Sequence, residues 1–161
     1  MSEDPAFEEL NAVKCLYLHK LSEPRDNSLR IVVQEAVANR SGQVRSDLPD
    51  LPELTEILKD SWPIESTEGC KTFDLYWKHY AAYLVTEEMV GSIVRDDDEV
   101  FSGKLLRLYS KSHFLDHLAR DTGGHPKPIQ HYKVSCLNHL IDVAAYAPPE
   151  IRIIPGAPQS L

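Results

Sequence analysis

The chain has 161 residues and only three cysteines, Cys15, Cys70 and Cys136. The number is odd, the spacings are wide and no CxxC pair exists, so a disulfide framework is excluded. Reduced cysteines in a cytoplasmic protein are the expectation. Cys15 and Cys136 each precede a leucine in an apolar segment, as small buried side chains do. Glycine is also scarce, with seven residues, none of them in GxGxxG or GK[ST] spacing. That absence excludes the common phosphate-cradling loops. No uncharged stretch approaches the roughly 18 residues of a membrane-spanning helix. The N-terminus carries Glu3 and Asp4 where a secretory signal would be basic and then apolar.

Basic charge is short as well. Seventeen Lys and Arg stand against 25 Asp and Glu, a net charge of −8 at pH 7, and no two basic residues are adjacent. Without clustered cations to replace phosphate counterions, no nucleic-acid partner is expected, and no anionic membrane surface either. An acidic surface attracts basic partners instead. At 42% apolar residues the chain has enough hydrophobic material for a core, so one soluble domain over 1–161 is expected.

The pattern of strands dominates what is present. Leu29–Val37 is rich in β-branched residues and follows a turn-forming segment at 22–28, so a hairpin of strands at 13–21 and 29–37 is predicted. Phe73, Leu75 and Trp77 alternate with Asp74, Tyr76 and Lys78. That period of two marks a half-buried strand over 70–78. It continues through 79–86 with a phase shift near Tyr80, which suits a bulge or bend. Further strand material lies at 104–109, in a run from His131 to Tyr146, and at Ile151–Ile154.

One clear helix is predicted over about 112–121, capped by Ser110 or Ser112, carrying a stripe of Phe114, Leu115 and Leu118, and stopped by Gly123-Gly124. Short helices are expected near 5–12, where Asp4 caps and Pro5 opens the first turn, and near 52–60. Residues 155–161, with Pro and Gly, read as a loose tail. The fold class is therefore α+β, with a predominantly antiparallel, bent sheet of about five to seven strands. Regular βαβ alternation is missing, which excludes a doubly wound sheet.

Five of the seven histidines fall between 113 and 139. His113 and His117 are four apart on the helix and could face one metal, with Cys136 and His139 completing a set. The spacing is poor, since Cys136 and His139 would face opposite sides of a strand and the helical stripe claims the inner face. No metal and no cofactor are expected. Cys136 with His117, His131 or His139, oriented by Asn138 or Asp142, has the residue types of a nucleophile pair but no local signature. The acidic run Asp96–Glu99 lacks the alternate spacing of a calcium loop and reads as solvated.

Tyr76, Tyr80, Tyr83 and Glu87 form the best candidate recognition surface, because tyrosine combines an apolar body with a polar tip. The expected function is a non-catalytic binding or interaction module for an unknown protein or small ligand. The alternative is a metal-dependent or cysteine/histidine hydrolase built on the 113–139 cluster. In type, though by no motif, the pattern resembles immunity proteins against secreted toxins, which implies a regulatory or protective module. A homodimer is expected through the apolar edge Ile151–Ile154.

Overall fold

A computed structural model describes residues 4–40, 61–91, 98–124 and 127–156. The chain is α+β and antiparallel throughout, as the periodicity implies. The described strands number ten, in two five-stranded sheets, where the sequence pattern pointed to about five to seven in one bent sheet. The elements in chain order are α1 (Pro5–Ala12), β1 (Cys15–Ser22), β2 (Leu29–Ala38), β3 (Ile64–Glu65), β4 (Lys71–Trp77), β5 (Tyr80–Glu87), α2 (Glu88–Gly91), β6 (Val100–Ser102), β7 (Leu106–Lys111), α3 (His113–Thr122), β8 (Gln130–Ser135), β9 (His139–Ala145) and β10 (Glu150–Pro155).

Sheet one runs β1-β2-β4-β10, with β3 on β2; sheet two runs β5-β9-β8-β7-β6. Register lines up the apolar residues. Ile31, Leu75 and Ile151 form one row across three strands, and Val33, Phe73 and Ile153 the next. In sheet two, Leu108, Tyr132, Val143 and Tyr83 form a matching row. Burying these rows against each other makes one core, and Trp77 of sheet one meets Tyr132 of sheet two at 5.9 Å between ring centroids. A sheet with one apolar face must cover it, and here two sheets cover each other.

The phase shift expected near Tyr80 is the place where the chain leaves one sheet for the other. Only Lys78 and His79 separate β4 from β5. The run 131–146 is not one strand but two, joined through Cys136–Asn138. No Gly or Pro announces this turn. It is held from outside, since Leu137 N–H donates to Leu16 O and Asn138 exchanges bonds with the Leu18 backbone.

Asp4 caps α1 by accepting from Ala6 N–H at 2.9 Å. Asn11, next to the last residue of α1, accepts from the backbone N–H groups of Lys104, Leu105 and Leu106 and so ties α1 to the β6–β7 turn. Gly103 in that turn has φ +87°, and an added Cβ would lie 2.1 Å from Leu106 O, so only glycine fits. Ser112 caps α3 and Gly123 ends it in the left-handed conformation, as predicted. Phe114, Leu115 and Leu118 do face inward, but only half-buried, because α3 lies on the outside of sheet two.

Several expectations shift. The helix near 52–60 lies outside the described residues, as do 157–161. Pro155 still pairs with Lys71 and Gly156 N–H bonds to Cys70 O, so the ordered strand runs past the start of the expected tail. Cys70 is buried and Cys15 half-buried. Among the described residues no helix is long and apolar enough to cross a membrane.

Candidate functional site

The candidate tyrosines divide between the two sheets. Tyr76 sits on the outer face of sheet one, opposite Arg30 and Glu150. Its neighbour Asp74 is buried under a bidentate Arg30 guanidinium at 2.7 and 2.8 Å. Tyr80 and Tyr83 stand in sheet two, edge to face at 5.0 Å, and both hydroxyls donate to Glu23 Oε1 at 2.9 Å. That shared carboxylate raises both phenol pKa values. The pair therefore clamps the β1–β2 turn onto β5. Glu87 is exposed at the far end of that strand.

The histidine cluster is also dispersed. His113 Nε2 lies 2.9 Å from Asp98, and His117 Nε2 lies 3.3 Å from Asp121, both on the exposed side of α3. Cys136 lies in the inter-sheet core and accompanies His139 at the β8–β9 turn, on the other side of the sheet from α3. Among the described residues no three His, Cys, Asp or Glu side chains converge as a metal site would require. The end of the acidic run is engaged. Asp98 bonds Lys111, which holds its carboxyl below the usual range, and Glu99 accepts from His113 N–H at the start of α3.

Burial pushes the Cys136 thiol up to about 12. At pH 8 roughly one Cys136 in 10⁴ would then be thiolate, the only form that attacks an electrophile. Iodoacetamide at pH 8 is therefore expected to alkylate half-buried Cys15 first and Cys136 only after unfolding. Peptide mapping of the modified native protein checks this; Cys136 labelled at the rate of Cys15 would contradict it.

A different set does come together. Ser112 Oγ lies 2.7 Å from His131 Nδ1, and His131 Nε2 lies 2.8 Å from Asp142 Oδ1. Ser112 is the cap of α3, and its Oγ also accepts from Leu115 N–H at 3.1 Å. His131 and Asp142 project from the outer face of sheet two. Tyr109 stacks on the imidazole at 4.1 Å and Phe114 tilts against it at 5.1 Å. Lys133 Nζ reaches the same Asp142 oxygen at 3.3 Å. Ser112, His131 and Asp142 are 5%, 1% and 8% exposed.

These are the residue types of an acyl-transfer triad, and chemistry of that kind needs a serine oxygen that a substrate can reach. Here the oxygen is enclosed and already accepts a backbone hydrogen bond. The relay fastens α3 to β8 and β9. Sequence reasoning named Ser112 only as a cap and paired His131 and Asp142 with Cys136. The available signal was parity: His131 alternates with Tyr132, and Asp142 with Ile141 and Val143, which puts both on the second face. Which of them meet was not written in the alternation.

An accessible cavity lies elsewhere, at the mouth of the sandwich. A cleft of about 370 Å³ is lined by Asp4 and Phe7 from α1, Leu108 from β7, Gln130 and Tyr132 from β8, Pro148 and Pro149 before β10, and Ile151 within it. Phe7, Leu108 and Ile151 are half-buried extensions of the core. The polar groups are the Asp4 carboxylate, the Gln130 amide and the Tyr132 hydroxyl, which donates to Gln130 Oε1 at 2.6 Å. Burial pushes the Tyr132 phenol up to about 12, so it stays neutral as a hydrogen-bonding group.

Compared with known protein families, with curated proteins and with solved structures, the chain gives no match.

Proposed function

We propose that this protein is a non-catalytic binding module, cytoplasmic and dimeric as a homodimer, that takes a compact, largely apolar ligand carrying an amine head group. The observation that carries the reading is the inter-sheet cleft. Its size falls in the range of about 300–1,000 Å³ typical of ligand sites, and its walls are apolar with a few polar groups converging on them. Phe7, Leu108 and Ile151 suit the apolar body. Asp4 offers the head group a carboxylate, and the net charge of −8 raises the local concentration of cations. Three free cysteines suit a reducing compartment. Regulation by, or protection from, a basic partner is the interaction-protein form of the same reading.

Amphipathic amine fragments tested by NMR are expected to shift signals of Phe7, Leu108, Gln130, Tyr132 and Ile151 saturably. Asp4→Asn keeps the helix cap. It should weaken amine binding about tenfold, the worth of roughly 1.4 kcal/mol for a lost charge-assisted bond. Leu108→Trp should fill the cleft and abolish the shifts. If fragments bind Leu108→Trp as they bind the parent chain, the cleft is not the site.

A second reading, hydrolysis, is favoured by one observation, the Ser112–His131–Asp142 relay. A fluorophosphonate adduct on Ser112 in the folded protein would establish it and displace the non-catalytic reading. The cysteine and metal forms of that alternative have less support, given the raised Cys136 thiol pKa and the dispersed histidines.

A further inference from the structure

Among the described residues, and apart from the two-residue β3, the sheets end on four strands, and three of these edges are blunted. β1 is irregular between Leu18 and Lys20, exposes His19 and Lys20, and has its backbone at Leu16 and Leu18 occupied by Leu137 and Asn138. β10, the edge expected from the sequence, alternates Glu150 and Arg152 with its isoleucines and ends in Pro155, which has no N–H. β6 has three residues. Charges, proline, irregularity and shortness are the devices by which sheet edges avoid pairing.

The fourth edge, β5, is eight residues long, has no Lys, Arg or Pro, and carries its one charge at the last position, Glu87. Among the described residues it pairs only with β9. Leu84 is 50% exposed and Val85 40% exposed, and Met89 and Val90 just beyond are more exposed still. The irregularity at Ala81 leaves Ala82–Glu87 in continuous register with β9.

We infer that two copies of this chain join through β5, antiparallel about a two-fold axis at Tyr83, into one continuous ten-stranded sheet. Opposite residues in an antiparallel pair share their hydrogen-bonding side, so the axis passes through a residue and not between two. With the axis at Tyr83, Leu84 meets the partner's Ala82, large against small within the regular part of the strand. Beyond the irregularity at Ala81, Glu87 comes towards the partner's His79, acid near base at both ends, while Lys78 already bonds Glu150 at 2.7 Å. Parallel pairing would set like charges together. A two-fold contact of this self-complementary kind closes on itself and makes a dimer rather than a fibre.

This inference rests on the homodimer proposed above and is independent of the cleft. Sedimentation equilibrium of the full chain, from micromolar to several hundred micromolar, is expected to show mass rising from 18.2 kDa to twice that value. Leu84→Lys should weaken association at least a hundredfold with an unchanged far-ultraviolet dichroism spectrum. Glu87→Lys should weaken it about tenfold, and adding His79→Glu should restore it, a rescue that misfolding would not produce. A monomer at every concentration overturns both the homodimer and its surface. A dimer indifferent to Leu84→Lys but lost on Ile154→Lys overturns β5 alone and places the interface on β10.

Discussion

Replacing His131 or Asp142 by alanine is expected to cost about 3 kcal/mol of stability, the upper end for leaving a buried hydrogen-bonding group without its partner. Without His131, Asp142 stays buried with Lys133 as its remaining partner at 3.3 Å, and Ser112 loses its link to the sheet. Without Asp142, the His131 Nε2 is left without its acceptor among aromatic rings. Ser112→Ala should cost less, about 1–2 kcal/mol, as a lost helix cap. The double variant His131→Phe/Asp142→Leu should recover most of the loss, because both polar partners leave together. Denaturant unfolding measures the cycle, and hydrogen exchange should show α3 losing protection before the sheets do. Additive single losses in the double variant would mean that the two side chains act separately and that the relay is not a unit.

The Trp77 side chain leads to an effect at least as large by a different route. It is 1% exposed, lies against Tyr132 across the sandwich and pairs in register with Leu29. Trp77→Ala should cost about 3–5 kcal/mol through lost burial plus the cavity left behind. That corresponds to a fall of roughly 10 °C in melting midpoint for a chain of this size. Trp77→Phe should be far milder. The indole N–H finds no acceptor among the described residues, so its removal also relieves an unsatisfied buried donor. A loss below 1 kcal/mol for Trp77→Ala, at unchanged denaturant slope, would remove this residue from the centre of the core.

Much of the architecture was legible because its signals are local. The alternation of Phe73, Leu75 and Trp77 needs only the two-residue period of a strand to declare which side is buried. Asp4 before Pro5 and Ser112 ahead of Phe114 and Leu115 mark helix starts, since the first turn's N–H groups need nearby acceptors. The break in phase at Tyr80 marked the bend but not its meaning, which is a change of sheet. The candidate site was hardly legible. Phe7, Leu108, Gln130, Pro148 and Ile151 are ordinary residues in ordinary elements, and nothing in their spacing says that they border one cleft. Tyr76, Tyr80 and Tyr83 drew attention because they are close in sequence, yet the corner at Lys78–His79 sends them to different sheets.

By itself the sequence determined the antiparallel α+β class, the inward face of β4, the caps of α1 and α3, and the exclusion of the common nucleotide-binding loops. Each follows from neighbours within a few positions, where backbone geometry alone relates side chains. Tertiary structure decided what depends on distant segments meeting. The Cys136–Asn138 turn, which has no glycine or proline, is held by bonds to β1 more than a hundred residues earlier. Ser112, His131 and Asp142 come from a helix cap and two strands, and only strand register and the docking of α3 bring them within hydrogen-bond distance. The cleft is lined by residues from α1, both sheets and the segment before β10, and β5 lies last in its sheet among the described residues; a one-dimensional pattern carries no record of either arrangement.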